Sequence, residues 1–189
     1  MRSLKPILKG MKQKVRILRP SEYEMLREGA RKLENQIQLD TLLLTGMRYV
    51  EAQRLHKHPE WFDGSFIHLP AEAQRKKKRK QRERWIRLNP LGRLTLPHFF
   101  RNKPLPHIVN FNKNLKRWAE RGGLDPVGLC PKTLRKTWES WLVFYYPRHI
   151  HLIFLSQGHN NLTSLEHYLN MPFTEQDKEE MRKWVEGWI

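Results

Sequence analysis

Two short segments in which apolar and polar residues alternate constrain the fold of this 189-residue chain most strongly. Residues 65–72 begin as one such segment, and residues 84–88 form the other. Alternation of this kind is typical of a half-buried strand, and two such runs joined by a polar connection predict a β-hairpin. Eight of the ten residues from Arg75 to Arg84 are basic, so we expect the hairpin to carry a long basic tip.

The other segments predict a mainly α-helical fold around this small antiparallel sheet. Ser21 and Glu24 have the spacing of a capping box, which predicts a helix that begins at Ser21. Gly46 and the pair Gly122-Gly123 are expected to end helices, because glycine readily adopts the backbone conformation of a helix C-terminus. Helices are therefore expected over residues 21–33, 36–44, 48–57, 90–100, 107–121, 132–144, 147–156, 163–169 and 174–188.

The first 20 residues differ in composition from the rest of the chain. Residues 1–20 carry seven basic residues and no acid, and two prolines and a glycine interrupt them. This composition predicts a flexible basic arm or linker. The remaining residues, 21–189, are long enough for one domain with a substantial core and short for two.

The excess of positive charge predicts a polyanionic partner. Lysine and arginine total 36 against 19 acidic residues, which gives a net charge of +17. Self-repulsion of this size destabilises a folded chain unless an anion binds to it. Nucleic acid is the leading interpretation. A membrane surface is the weaker one, because the sequence shows no basic amphipathic helix with a broad apolar face. The charged surface of a thermophile is a further interpretation, although such surfaces mix both signs of charge.

Compartment and cofactor use follow from features that the sequence lacks. No stretch approaches the roughly 20 apolar residues that span a bilayer, and the basic N-terminus lacks the apolar run of a secretory signal. The single cysteine, Cys130, forms no internal disulfide, which fits a reducing cytosol. No zinc site with conventional ligand spacing can be written. We therefore expect a cytoplasmic protein without a metal or cofactor.

Three basic residues in two separate motifs are suited to binding a phosphate. Arg48 follows the helix-breaking Gly46 in T-G-M-R-Y-V-E, and Lys132 and Arg135 lie in P-K-T-L-R-K-T. A spacing of three residues puts Lys132 and Arg135 on one helix face. A guanidinium donates two parallel hydrogen bonds to phosphate oxygens, so the two arginines are the stronger candidates. Glu51 shares a helix face with Arg48 and is expected to orient it rather than to react.

A histidine and a tyrosine further along the chain could handle a proton and attack a phosphorus atom. His159 follows Gly158, and Tyr168 follows His159 by nine residues. The imidazole of His159 could donate to a phosphate oxygen or could help the nucleophile to lose its proton, and the sequence leaves both roles open. Tyr168 is the candidate nucleophile. Because the pKa of a free tyrosine is near 10, nearby cations and His159 are needed to assist it.

In this order, T-G-x-R-x-x-E, K-x-x-R, G-H and a later tyrosine resemble the catalytic domain of the tyrosine recombinases, the phage-integrase family. The resemblance covers roughly residues 20–175, and the K-x-x-R form is similar to integrases of archaeal viruses and plasmids. It implies the recombinase catalytic-domain fold and site-specific integration or excision of a mobile element through a 3′-phosphotyrosine intermediate. It also implies double-stranded DNA as the partner and a homotetramer on that DNA. The implied catalytic residues in these motifs are Arg48, Lys132, Arg135, His159 and Tyr168.

The family also places a lysine in the hairpin turn, where it protonates the leaving 5′-oxygen. Lys76, Lys77, Lys78 and Lys80 all compete for this role in the present sequence. Counting back from the second strand favours Lys78 or Lys80, counting forward from the first favours Lys76, and we choose Lys78. Other residues of the basic run are expected to contact DNA phosphates: Lys76, Lys77, Arg79, Lys80, Arg82 and Arg84.

The sequence departs from the family pattern in two places, and some alternatives stay open. Lys136 stands where the family usually has histidine, and the 20-residue arm stands where a separate DNA-clamping domain is usual, so the chain is a catalytic fragment or a minimal form. Tyr168 acts in cis or in trans, and helix 174–188 packs in cis or exchanges between protomers. Two other functions remain: strand relaxation of the type IB topoisomerase kind, and DNA or RNA binding without catalysis.

Overall fold

The computed structural model describes residues 15–73, 83–159 and 171–189. Within these residues, eight α-helices surround one two-stranded antiparallel sheet, so the prediction of a mainly helical chain with a small sheet is confirmed. None of these helices is long and apolar enough to cross a membrane. The helices are α1 (Pro20–Gly29), α2 (Leu33–Thr45), α3 (Tyr49–Leu55), α4 (Pro90–Arg101), α5 (Ile108–Arg121), α6 (Lys132–Tyr145), α7 (Ile150–Gln157) and α8 (Glu175–Val185), and the strands are β1 (Phe66–Leu69) and β2 (Arg84–Arg87).

The hairpin presents one face to the helices and the other to solvent. Its register places Ile67 opposite Ile86 and Leu69 opposite Arg84. Because side chains alternate between the two faces of a strand, these four residues share one face, and all four are buried. Trp85 lies on the other face and is 53% exposed. The sheet therefore turns one arginine, Arg84, towards the interior of the domain.

Helix α6 lies at the centre of the core. Its side chains Leu134, Trp138, Trp141 and Leu142 are fully buried. Helix α2 packs between α4 and α6, while α1 packs against α5 and α8. Each large apolar side chain buried in this way contributes roughly 2 kcal/mol relative to exposure. This packing fixes the axis of α6, and with it the position of the N-terminal turn that carries Lys132 and Arg135.

The last helix packs on its own chain in this structure. Trp184 and Trp188 are buried, and the Trp184 ring meets the Tyr23 ring edge to face at a centroid distance of 5.1 Å. The indole nitrogen of Trp188 donates to the carbonyl of Arg87 at 3.1 Å. These contacts attach the segment after α8 to strand β2.

The start of α1 corrects one prediction. Arg19, rather than Ser21, is the N-cap, because Pro20 occupies the first helical position. Proline suits that position, since its fixed φ is helical and no partner is needed there for a backbone N–H. The amide of Arg19 donates to Glu22 Oε2 at 2.8 Å, so Glu22 completes the cap in place of Glu24.

The folded domain also begins earlier than residue 21. Leu18 is fully buried, its amide donates to Thr137 Oγ1 at 3.0 Å, and its carbonyl accepts from the Trp141 indole at 2.9 Å. The amide of Arg16 donates to the carbonyl of Gly128 at 3.1 Å. Residues 16–18 are therefore part of the domain, which corrects the expectation of an arm that extends through residue 20.

Other helix boundaries differ from the predictions by a few residues. Helix α2 begins at Leu33 rather than residue 36, and α8 ends at Val185 rather than residue 188. The helix expected over 147–156 is a 3₁₀ turn, Pro147–His149, followed by α7. Thr174 caps α8 as predicted, because its hydroxyl accepts from the amide of Asp177 at 3.1 Å. The helix expected over 163–169 lies outside the described residues.

Candidate active site

Three of the predicted catalytic residues come together where α3, α6 and the end of α7 meet. Arg135 Nη1 donates to the carbonyl of Gly46 at 2.8 Å, and Arg135 Nη2 donates to the carbonyl of Gln157 at 2.6 Å. The same Nη2 lies 3.3 Å from His159 Nε2. Because Gly46 is two residues before Arg48 and Gln157 two before His159, the Arg135 guanidinium joins the other two motifs.

Glycine is required at the two turns that bring these motifs together. Gly46 and Gly158 both adopt left-handed backbone conformations, with φ of +57° and +70°. A Cβ atom on Gly46 would lie 2.5 Å from Gln157 Oε1, and one on Gly158 would lie 2.8 Å from Arg84 Cδ. Both distances are too short, so the glycines of T-G-M-R and G-H allow separate parts of the chain to approach.

Arg48 lies at the opening of the site and is oriented by Glu51. It is the N-cap residue of α3, and its amide donates to Glu51 Oε2 at 2.8 Å. Its Nη1 donates to Glu51 Oε1 at 2.7 Å, so the predicted contact between these two residues is present. The Arg48 side chain is nevertheless 38% exposed, against 10% for Arg135. Arg48 is thus held in place while part of its guanidinium faces solvent.

The structure corrects the interpretation of Arg84 as a DNA-phosphate contact. Its side chain is 5% exposed, and its Nη2 donates to Glu51 Oε2 at 2.7 Å. Its Nε donates to the carbonyl of Ser156 at 3.2 Å. The physical reason is the two-residue period of a strand, which places Arg84 on the same buried face as Ile86.

The charge of Glu51 is maintained by the arginines around it. Burial by itself would raise the pKa of this carboxyl group. The positive charges of Arg84, Arg48 and Arg135, together with the hydrogen bond from Arg84, outweigh burial and lower the pKa of Glu51 to about 2. Glu51 is therefore a carboxylate at neutral pH and serves as the fixed anion of the site.

Glu139 belongs to the site, although the motifs did not indicate it. Its Oε1 lies 2.8 Å from His159 Nε2 and accepts from Arg135 Nη2 at 2.9 Å. Glu139 Oε1 thus lies between the Arg135 guanidinium and the His159 ring and contacts both. The sequence signal that could have found Glu139 is its spacing of four residues from Arg135 on one helix.

The site has an excess of positive charge. Among the residues that the structure describes, the guanidinium groups of Arg48, Arg84 and Arg135 face two carboxyl groups, those of Glu51 and Glu139, so three cationic side chains meet two acidic ones. Burial lowers the pKa of Arg135; Glu139 and Glu51 oppose this effect, while Arg48 and Arg84 add to it. An oxyanion would satisfy this excess, because oriented N–H donors bind anions best where water is excluded.

The other predicted residues divide into two groups. Lys132, the first residue of α6, is exposed, and Lys136 is half-buried on the same helix. Arg135 is therefore the member of the K-x-x-R pair that lies in the buried site. The remaining predicted residues lie outside the described ranges, so their roles stay predictions: Lys76, Lys77, Lys78, Arg79, Lys80, Arg82 and Tyr168.

Among residues 15–73, 83–159 and 171–189, no group of three or more histidine, cysteine, aspartate or glutamate side chains is placed to hold a metal ion. No protein-family model matches the sequence, and no curated protein matches it significantly. The functional conclusion therefore depends on the motifs and on the geometry of the buried charges.

Proposed function

We propose that this chain cleaves and rejoins double-stranded DNA through a covalent 3′-phosphotyrosine intermediate, as a site-specific recombinase of the tyrosine-recombinase type. The observation that carries the proposal is the position of Arg135, whose guanidinium contacts the Gly46 carbonyl and lies beside His159. The motifs of Arg48, Arg135 and His159 are far apart in sequence. Their meeting around one excess positive charge supports a common phosphate ligand.

The arginines bind the scissile phosphate and stabilise the charge that develops on it. During attack, negative charge increases on the nonbridging oxygens of the phosphorus. Arg48, which is partly exposed, and Arg135, which borders it, donate to these oxygens. Removing one donor of this kind from an active site typically costs about 3–4 kcal/mol of transition-state stabilisation.

The energy of the broken phosphodiester bond is conserved in a phosphotyrosine ester. The phenolic oxygen of Tyr168 bonds to phosphorus, the bond between phosphorus and the 5′-oxygen breaks, and Lys78 gives a proton to that oxygen. The phenolic proton passes to solvent or to His159, whose ring Glu139 holds in place. The reverse reaction, with a 5′-hydroxyl of another strand as the nucleophile, rejoins the DNA and frees Tyr168.

In this proposal, the positive charge of the chain holds the DNA around the site. Basic residues of the segment between β1 and β2 contact phosphates on either side of the cleaved bond, and affinity for DNA falls as salt increases. A tetramer on two DNA sites exchanges strands to integrate or excise a mobile element in the cytoplasm of its host.

A nicked suicide DNA substrate tests the nucleophile. The wild-type chain should become covalently attached to the DNA, and Tyr168→Phe should lose the adduct while it keeps its affinity for DNA. Tyr145→Phe is the matched control, because it also removes a tyrosine hydroxyl. Tyr145 lies at the C-terminal end of α6, far along the helix from Arg135, so this variant should retain the adduct. The measurements are a denaturing gel for the adduct and a mobility shift for binding.

Three outcomes would contradict parts of this proposal. Adduct formation by Tyr168→Phe would mean that another residue is the nucleophile. Failure of the wild-type chain to form an adduct on any duplex would favour a noncatalytic DNA-binding module. An adduct that relaxes supercoils without exchange between two sites would instead favour the type IB topoisomerase class.

A further inference from the structure

We propose that Arg84 is a positioning residue that determines, through Glu51, where the guanidinium of Arg48 lies when a phosphate binds. The inference deepens the proposed function and rests on it. It assigns to Arg84 a role other than the phosphate contact that its place in a basic run suggests. Arg84 would act on the reaction without touching the DNA.

Glu51 is shared evenly between the two arginines. Its Oε1 accepts from Arg48 Nη1 at 2.7 Å and from Arg84 Nη1 at 3.2 Å. Its Oε2 accepts from the Arg48 amide at 2.8 Å and from Arg84 Nη2 at 2.7 Å. Each carboxylate oxygen therefore holds one bond from each arginine, so a shift of Arg84 moves the group that orients Arg48.

The burial of this cluster makes the sharing consequential. Glu51 is 2% exposed and Arg84 is 6% exposed, so water does not replace a lost partner for either group. Breaking a buried ion pair by removing one partner leaves an uncompensated charge. Without Arg84, the Arg48 guanidinium would turn inward to neutralise Glu51, and fewer of its donors would remain for a phosphate.

Arg84 also connects two elements that border the site. It is the first residue of β2, and its Nε donates to the carbonyl of Ser156 near the end of α7. Gly158 leaves room for the Arg84 side chain, since a Cβ there would lie 2.8 Å from Arg84 Cδ. One guanidinium thus fixes β2, the N-terminus of α3 and the end of α7 relative to one another.

Variants at position 84 separate positioning from DNA contact. In Arg84→Gln, we expect the rate of adduct formation on the suicide substrate to fall about 100-fold, the size of effect that follows a displacement of about 1 Å in an active site. Affinity for DNA and its dependence on salt should stay at the wild-type values, because a buried arginine releases no counterions. Arg87→Gln is the matched control on the same strand but the opposite face, and it should cleave at the wild-type rate.

The pH dependence of cleavage supplies a readout that a general loss of stability would not move. Among the described residues, Arg48 and Arg135 still face Glu51 when Arg84 is absent. With fewer cations to oppose it, burial raises the pKa of Glu51. The carboxylate therefore takes up a proton at higher pH than in the wild-type chain. The acid limb of the rate profile should shift to higher pH in Arg84→Gln and should shift less in Arg84→Lys, which keeps the charge.

Two results on DNA would overturn the inference. A decrease of about one in the salt slope of DNA binding by Arg84→Gln would identify Arg84 as a phosphate contact. An unchanged cleavage rate in the folded variant would mean that Arg48 needs no such support. If Arg84→Gln fails to fold, Arg84→Lys keeps the charge but loses the fork that bonds both oxygens of Glu51; slower cleavage by this folded variant supports the inference, and wild-type cleavage overturns it.

A failure of the proposed function is distinguishable from a failure of this inference. If the wild-type chain forms no adduct, inorganic phosphate serves as the probe and thermal stabilisation as the measurement. Weaker protection of Arg84→Gln than of Arg87→Gln would support the positioning role. Equal protection of the two variants would overturn it.

Discussion

Asp40 and Glu51 are both buried carboxylates, but they are surrounded by different numbers of cations. Asp40, on α2, accepts from the Tyr23 hydroxyl at 2.7 Å and from Arg27 Nε at 2.9 Å. Glu51 accepts from two guanidinium groups, those of Arg48 and Arg84. One negative charge is thus matched by one cation at Asp40 and by two at Glu51.

The difference indicates which buried charges serve the fold and which serve a ligand. At Asp40 the charges balance, and the remaining hydrogen bond comes from a neutral phenol whose pKa is raised well above its ordinary value by burial and by Asp40. Around Glu51, the described part of the chain places three arginines, Arg48, Arg84 and Arg135, beside two acidic side chains, Glu51 and Glu139. A balanced cluster is complete without a partner, whereas an unbalanced one gains stability when an anion binds.

The largest expected difference between the two clusters is in cleavage. Arg135→Lys keeps the charge but loses the fork that reaches the carbonyls of Gly46 and Gln157. We expect adduct formation on the suicide substrate to slow by about 100- to 1,000-fold. Arg27→Lys makes the same substitution at the balanced cluster and should cleave at the wild-type rate. Equal losses in the two variants would mean that the excess charge has no special role.

Stability against acid should distinguish the clusters next. The pKa of Glu51, about 2, lies below its ordinary value of 4.5, so its contribution is complete above about pH 4.5 and is lost as pH falls towards 2. The contribution is on the order of 3 kcal/mol. Urea unfolding at pH 6 and pH 3 should therefore reveal a smaller change in the free energy of unfolding for Glu51→Gln than for the wild-type chain.

Tyr23→Phe is the counterpart of that experiment at the balanced cluster. Because the pKa of Tyr23 is raised in the folded state, its neutral phenol stabilises the fold. This contribution to the free energy of unfolding is present below about pH 10 and is lost at higher pH. The variant should keep the wild-type response between pH 6 and pH 3. A response to acid as small as that of Glu51→Gln would contradict the assignment of acid sensitivity to Glu51.

The smallest expected effect is the response to an anion. Inorganic phosphate at ten times its dissociation constant should stabilise the wild-type chain by about 1.4 kcal/mol. Arg48→Gln removes one cation from the unbalanced cluster and should weaken this protection, while Arg27→Gln should retain it. Thermal unfolding with and without phosphate measures the difference. Protection that survives in Arg48→Gln would place the anion elsewhere on this basic chain.

Local patterns predicted the elements of this fold more fully than the contacts of its site. The amphipathic segment of α5 and the break at Gly46 predicted helix bodies and ends, because these features depend on near neighbours in sequence. The N-cap of α1 is different, because serine has a strong preference for that position and favours Ser21, whereas Pro20 fits the first helical position and makes Arg19 the N-cap.

The interior contacts of the site depend on which face of an element is buried. Trp85 and Ile86 are adjacent apolar residues that interrupt the alternation of residues 84–88, so the pattern leaves open which of them points inward. The basic neighbours of Arg84 in the sequence favour a surface position, whereas the register buries it. Glu139 depends on the same kind of information. Its partner His159 follows the end of α7, and tertiary packing brings it to α6.

Gly46 and Gly158 limit how this sequence could be redesigned. Much of the outer surface of α5 or α8 could be rewritten with other polar residues without altering the interior. At positions 46 and 158 the freedom disappears, because the space beside each Cα is already occupied by a side chain from another motif. The side chain of each glycine is a single hydrogen atom. A designer would have to keep both, although neither is a reactive group.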